Sequence, residues 1–284
     1  MSDGRSVNAR TQIAAVIGSP VRHSLSPVIH NAAFAAHGDN WVYGAFEVDP
    51  EHAVAAIDAM RILGISGLSI TMPHKEMVMA ALDELHPTAA LVRAVNTVVR
   101  INGRLVGHNT DGVGCVDALR TSGADLSSVA VIGAGATARA VIAALASTGA
   151  NVGVANRSET RQSEAVAIGN AVRTHSTTAI GLHEVANSAT IINTTPQGMT
   201  GVAVESVPMD TSTICAHHTV LDAVYHPRET EFLRAAGTRG ARTVDGVDML
   251  CAQAARQQEL WLGRLPDVAL LRQAALAELA KLQQ

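Results

Sequence analysis

The chain has 284 residues, enough for two domains and a substantial core, with 16% charged residues and a formal net charge of −4. That balance excludes a basic polyanion-binding protein and a disordered acidic one, and 2% aromatic residues leaves few rings to stack on single-stranded nucleic acid. Cys115, Cys215 and Cys251 are odd in number and widely spaced, which suits reduced cytoplasmic thiols better than a disulfide framework or a zinc cluster.

In chain order, the polar stretch Met1–Arg10 lacks the apolar centre of a signal peptide, and no apolar run is long enough to span a bilayer. A cytoplasmic protein with no membrane and no nucleic-acid partner is therefore expected. Strand and helix patterns then alternate: a strand at Ile13–Ile17, a helix at Pro27–His37, a strand at Val42–Glu47, a helix at Glu51–Leu63 and a strand at Gly67–Thr71. A short helix is expected at Met77–Leu82. Asn96–Ile101 and Arg104–Gly107 read as a hairpin, because Asn102–Gly103 favours a type I′ turn. A linking helix follows at Gly112–Thr121. From Ser128 to Val244 the alternation continues, with strands near 128–132, 151–155, 189–193 and 219–224, the pattern of a doubly wound parallel sheet. Two helical patterns, Val247–Gly263 and Pro266–Lys281, close the chain.

The apolar run Ser128–Ile132 leads into Gly133–Ala134–Gly135–Ala136–Thr137–Ala138, a G-x-G-x-x-A turn, and then into an alanine-rich helix to Ser147. Strand, turn and helix in this order are the context of a dinucleotide fingerprint. Gly133 allows the turn, Gly135 lets backbone approach a pyrophosphate, and Ala138 lets helix and strand pack closely. The diphosphate then meets the positive end of the helix. About 20 residues on, a carboxylate would hold a free ribose 2′-hydroxyl. Here Asn156 and Arg157 stand at that strand end, with Arg161 one turn further. Guanidinium groups suit a 2′-phosphate, so NADP(H) is the predicted cofactor.

The first half carries polar clusters. Ser24–Leu25–Ser26–Pro27 sets two hydroxyls on one side of an extended stretch before a helix, with Ser26 expected as its N-cap. Ser69 and Thr71 alternate on one strand face, followed by Pro73, His74 and Lys75; His74 is expected to be exposed beside the lysine. Asn96–Thr97 opens the hairpin, and Gly107–His108–Asn109–Thr110–Asp111 closes it. Each cluster alone reads as surface or capping chemistry. Together the hydroxyls, amides, lysine and carboxylate suit a small polyhydroxylated ligand.

On these residues the chain resembles the shikimate dehydrogenase family from about Val16 to Gly263. The resemblance rests on Gly18–Ser19–Pro20 with Ser24–Pro27, Thr71–Lys75, Ala94–Thr97, Gly107–Gly112, Gly133–Gly135, Asn156–Ser158, Asn193–Met199, Asp222–Tyr225 and Gly246–Leu250. It implies a two-domain α/β fold, an N-terminal α/β substrate domain and a Rossmann-type doubly wound NADP-binding domain. The expected limits are residues 1–111 completed by C-terminal helices 246–284, and 112–245. It also implies NADPH-dependent reduction of 3-dehydroshikimate to shikimate in aromatic amino-acid biosynthesis, by a monomer or homodimer. By the same resemblance Ser24, Ser26 and Tyr225 hold the substrate carboxylate, and Thr71, Asn96, Asp111 and Gln253 its hydroxyls. Lys75 and Asp111 form the catalytic pair. Gly133, Ala134, Gly135, Ala136, Asn156, Arg157, Ser158, Arg161 and Thr195 bind the cofactor, with Met199 and Gly246 lining the nicotinamide pocket.

Two departures stand out. The family usually has Asn where this chain has Ser69, so one amide contact is shortened or taken over by water, and a second Gly often follows the position of Gly135. Oxidation at a carbinol carbon needs the hydroxyl proton removed by a positioned side chain, a role that falls to Lys75 with Asp111 orienting it. A plain surface ion pair is the bland alternative for these two. No metal is needed: twelve histidines are present without an H-E-x-x-H motif, and His217–His218 are adjacent rather than on one helix face. The competing readings are an NAD-dependent quinate/shikimate dehydrogenase, a folate-linked methylene dehydrogenase, and a non-catalytic metabolite sensor.

Overall fold

The computed structural model describes residues 7–201 and 207–282; the first six residues of the polar N-terminal stretch lie outside it. Contacts divide the chain into two compact units, residues 1–110 with 254–284, and residues 111–253.

The first unit holds a six-stranded sheet. Its strands are β1 (Gln12–Gly18), β2 (Trp41–Glu47), β3 (Gly67–Ile70), β4 (Glu84–Leu85), β5 (Thr97–Ile101) and β6 (Arg104–His108), in the order β2-β1-β3-β5-β6-β4. β1 pairs in parallel with β2 and β3, whereas β5 runs antiparallel to β3 and β6. The helices are α1 (Ser26–His37), α2 (Ala53–Leu63) and α3 (Pro87–Val92). β1 shows why buried parallel strands read as continuous apolar runs: Ala14 and Val16 pack with Phe34 and Tyr43 on one face, Ala15 and Ile17 with Ile57 and Met60 on the other. The Asn102–Gly103 turn has φ of 50° and 80°, as a type I′ hairpin requires. Two expected helices are tighter than anticipated. Glu51 falls in a 3₁₀ turn, Pro50–His52, that leads into α2, and Met77–Ala81 is itself 3₁₀.

The second unit holds β7 (Ser128–Ile132), β8 (Asn151–Ala155), β9 (Thr177–Ala179), β10 (Thr190–Asn193), β11 (Thr219–Asp222) and β12 (Arg242–Val244). All its pairings are parallel, in the order β12-β11-β10-β7-β8-β9. Counted along the chain this is the 3-2-1-4-5-6 order of a Rossmann fold. Its helices are α4 (Asp111–Ser122), α5 (Ala136–Ser147), α6 (Glu159–Val172) and α7 (Glu231–Thr238). Val129 and Val131 face a core shared with α4 and α5; Ala130 and Ile132 face one shared with α7. α8 (Gly246–Leu262) begins in this unit and ends in the first, where α9 (Val268–Leu282) packs on α1. Among the described residues no helix is long and apolar enough to cross a membrane.

Candidate active site

Sheet polarity brings the polar clusters of the first unit to one edge. β1 and β3 are parallel, so the loops that follow them, carrying Ser24–Ser26 and Thr71–Lys75, leave the sheet at the same end. β5 is antiparallel, so Asn96, just before it, starts from that end. β6 reverses again and delivers Thr110 there.

Asn96 is buried, with hydrogen bonds at both its amide oxygen and its amide nitrogen. Its Oδ1 accepts from the Thr110 backbone N–H at 2.8 Å and the Thr97 hydroxyl at 2.7 Å, while its Nδ2 donates to Thr110 Oγ1 at 2.9 Å. Its backbone carbonyl accepts from Ile70 N–H at 2.8 Å, which ties the hairpin to β3. Thr71 is anchored by its N–H to the Ile17 carbonyl at 3.0 Å. Lys75 is half-buried, and its carbonyl accepts from Val95 N–H at 2.8 Å.

Three local expectations are corrected here. Ser26 is the first residue of α1 rather than its N-cap; Leu25 occupies the cap with helical φ and ψ, so the stretch is not extended. Ser24 supplies the local bond, its Oγ accepting from Ser26 N–H at 3.2 Å. His74 is fully buried instead of exposed, because the turn in which Val78 N–H bonds the His74 carbonyl carries its ring inward. There His74 Nε2 lies 2.7 Å from the Val48 carbonyl. Ser69, whose lost amide contact was expected to be shortened or filled by water, has protein partners: its Oγ accepts from the Tyr43 hydroxyl at 2.6 Å and donates to Gln257 Oε1 at 2.7 Å.

In the second unit every strand is parallel, so the loops after β7, β8, β10, β11 and β12 share the C-terminal edge, where ligands bind in such sheets. Gly133 has φ +115°, and a Cβ there would lie 2.5 Å from Thr194 Oγ1. Gly135 begins α5 without a capping side chain, and the position of its missing Cβ is open for 4 Å. Ala134 and Ala136 complete a turn able to admit a diphosphate. Gly133 N–H bonds the Ala155 carbonyl at 2.9 Å, which sets this turn beside the end of β8. Asn156 Nδ2 donates to the Ser158 carbonyl at 2.9 Å, and Ser158 caps α6 by accepting from Arg161 N–H at 3.4 Å. Arg157 and Arg161 are exposed at this edge. An acidic residue at the end of β8 is absent, and the residues present fit a 2′-phosphate-bearing dinucleotide.

Beyond β10, the Thr195 hydroxyl donates to Asn193 Oδ1 at 2.7 Å, and Asn193 Nδ2 donates to Asp222 Oδ1 at 2.9 Å. Asp222 is fully buried; it also accepts from the Val224 N–H at 3.1 Å and the Thr230 hydroxyl at 2.7 Å. Burial outweighs these bonds and raises its pKa to about 6. The network fixes the loops that carry Thr195 and Tyr225. Burial pushes the Tyr225 phenol up as well. Met199 sits in a turn closed by its N–H to the Pro196 carbonyl at 3.1 Å. A Cβ on Gly246 would lie 2.4 Å from the Val224 carbonyl, so only glycine lets α8 start that close to the loop after β11. Asp111 is buried at the N-terminus of α4, where a carboxylate meets the positive helix end. Gln253 donates to the Leu250 carbonyl at 2.9 Å.

Cys115 and Cys251 are buried free thiols and Cys215 is exposed. Among the described residues, Cys215, His217 and His218 bring potential ligand atoms within 4.8 Å of one another. His218 is already engaged through both ring nitrogens, however: Nδ1 accepts from Cys215 N–H at 2.9 Å and Nε2 lies 3.0 Å from the Ala186 carbonyl. Sequence reasoning missed Tyr43 and Gln257. The readable signal was a run of glutamines, Gln257 and Gln258 after Gln253, buried in α8.

Residues 16–98 match the model of the shikimate dehydrogenase substrate binding domain, and residues 246–276 that of the shikimate 5′-dehydrogenase C-terminal domain. The shikimate dehydrogenase (NADP(+)) of Symbiobacterium thermophilum is 42% identical over 279 residues, covering 94% of this chain and 95% of that protein. A crystal structure of shikimate 5-dehydrogenase from Thermus thermophilus with NADP(H) and shikimate superposes with a TM-score of 0.87 at 33% identity, covering 94% of this chain and 99% of the other. Quinate dehydrogenase from Corynebacterium glutamicum in complex with NAD gives 0.85 at 32% identity, with 94% and 99% covered.

Proposed function

The chain belongs to the shikimate dehydrogenase family, and we propose that it catalyses the reversible NADPH-dependent reduction of 3-dehydroshikimate to shikimate. The observation that carries this reading is that the polar clusters of the first unit and the glycine turn and arginines of the second each fold to one edge of their own sheet. The hydroxyls, amides and lysine gather at one end of the first sheet. The glycine turn, Asn156, Arg157 and Arg161 gather at the C-terminal edge of the second.

In this reading residues 1–111 with 246–284 form the substrate domain and 112–245 the NADP domain of a cytoplasmic enzyme. Bound NADPH would supply the hydride that reduces the ring ketone. Lys75 hydrogen-bonds the substrate oxygen, stabilises the negative charge that grows on it and is paired with Asp111 for delivery of the proton. In the direction of oxidation the same pair takes that proton away. Ser24, Ser26 and Tyr225 hold the carboxylate by donated hydrogen bonds; Thr71, Asn96 and Gln253 orient the remaining hydroxyls. Gly133 to Ala136 cradle the diphosphate, with Ser158 and Thr195 in the adjoining loops, Met199 and Gly246 face the nicotinamide, and Asn156, Arg157 and Arg161 take the 2′-phosphate.

Initial rates with shikimate and quinate, each against NADP and NAD, test the assignment. The highest kcat/KM is expected for shikimate with NADP. Preference for quinate with NAD overturns the substrate and cofactor assignment, and the absence of turnover with all four pairs overturns the enzymatic reading.

A further inference from the structure

Gln257 is buried on the C-terminal half of α8 and makes two hydrogen bonds through its amide. Nε2 donates to the Asn96 backbone carbonyl at 3.2 Å, and Oε1 accepts from Ser69 Oγ at 2.7 Å. Ser69 Oγ in turn accepts from the Tyr43 hydroxyl at 2.6 Å. All four residues lie in the first unit. The chain of bonds therefore runs Tyr43, Ser69, Gln257, Asn96, and ends on a residue assigned to the substrate.

Its direction follows from donor and acceptor counts. A carbonyl oxygen only accepts, so the Gln257 NH₂ must face Asn96 and its Oε1 must face Ser69. Ser69 has one proton and gives it to Oε1, so Tyr43 must donate to Ser69. One amide thus sets the polarity of two hydroxyls, and a satisfied buried network of this kind holds its members rigidly. Its surroundings keep it neutral. Burial pushes the Tyr43 phenol well above its ordinary range. It also drives His30, whose ring stacks on Tyr43 at 4.3 Å, down to about 3. Gln258 holds that ring through a hydrogen bond between its amide Nε2 and Nδ1 at 3.0 Å.

We propose that Gln257 is a positioning residue for the substrate: from the C-terminal helix it supplies the amide that Ser69 does not carry, and through the Asn96 backbone carbonyl it aligns that residue. The proposal rests on the assignment of Asn96 to the substrate.

The test compares steady-state kinetics of the full chain with Gln257→Met, Ser69→Ala, and the pair Ser69→Asn/Gln257→Ala. Gln257→Met is expected to raise KM for shikimate about 5–30-fold, the effect of one to two net hydrogen bonds. kcat should stay within about threefold and KM for NADP should not move, since neither responds to substrate alignment alone. The double variant returns the amide to β3 and should recover most of the lost affinity for shikimate. A merely structural Gln257 would lower stability without this split and without rescue by Asn. Unchanged KM in Gln257→Met, or equal damage in the double variant, overturns the proposal. Should Gln257→Met not fold, Ser69→Ala cuts the same chain by removing the hydroxyl that holds Gln257 Oε1, and carries the same expectation and the same refutation. Ser26→Ala and Asn96→Ala separate the two levels: unchanged KM in both defeats the substrate-site reading. Raised KM there with no effect at Gln257 defeats this inference alone.

Discussion

Asp222 makes a prediction whose size comes directly from its surroundings. It is buried with no access to water, and its pKa rises from the ordinary 3.8 to about 6. Between those values the folded protein binds more protons than the unfolded chain, so stability falls as pH rises through the interval and levels off above it. From pH 4 to pH 7 the decrease attributable to this group is about 2 kcal/mol, taking 1.36 kcal/mol per pH unit. Asp222→Asn removes the ionisation. It keeps an acceptor for Asn193 and Val224 but leaves the Thr230 hydroxyl without one, a pH-independent cost of about 1–3 kcal/mol. The stability of the variant relative to the parent should therefore improve by about 2 kcal/mol between pH 4 and pH 7. Urea unfolding of both proteins at pH 4, 5, 6 and 7 gives that difference, with all other carboxylates cancelling. Far-UV circular dichroism is the signal of choice, because Trp41 and Trp261 both lie in the first unit and Asp222 in the second. A difference that stays constant within about 0.5 kcal/mol across this range would show that burial does not dominate at Asp222.

Lys75→Met should lower kcat by about 10²–10⁴ while changing KM for shikimate little, as loss of one acid–base group does; more than a third of the parent kcat would remove Lys75 from the chemistry. Arg157→Ala should raise KM for NADP by about 10-fold, the lower end of a charged hydrogen bond because the residue is exposed. KM for NAD should scarcely move and the penalty should shrink at high salt, so equal effects on both cofactors would place Arg157 away from the 2′-phosphate. Gly133→Ala forces a side chain onto a backbone at φ +115° and against Thr194. A loss of about 1–3 kcal/mol of stability and weaker NADP binding are expected, and an unchanged melting temperature with unchanged KM would contradict the turn geometry.

Local chemistry was enough to read much of this protein from the chain itself. The run Val129–Ile132, the glycine turn and the alanine-rich helix specify strand, turn and helix by neighbours in sequence; α5 spans Ala136–Ser147 as expected. Asn102–Gly103 dictates its hairpin because both residues tolerate positive φ. The shortage of acidic residues at the end of β8 likewise needs no tertiary knowledge to argue for a phosphate-bearing cofactor. Properties that depend on distant partners were not legible. His74 looks like a surface residue beside a lysine until the 71–78 turn folds it beneath Val48. Ser26 looks like a helix cap until Leu25 takes that place. β4 and β9 are too short to have a period of their own and exist because β6 and β8 pair with them. Ser69 and Gln257 are 188 residues apart, and only the packing of α8 on the first sheet brings their polar atoms to 2.7 Å. Sequence periodicity reports which face of an element is buried, whereas the partner of a buried polar group is chosen by the fold that surrounds it.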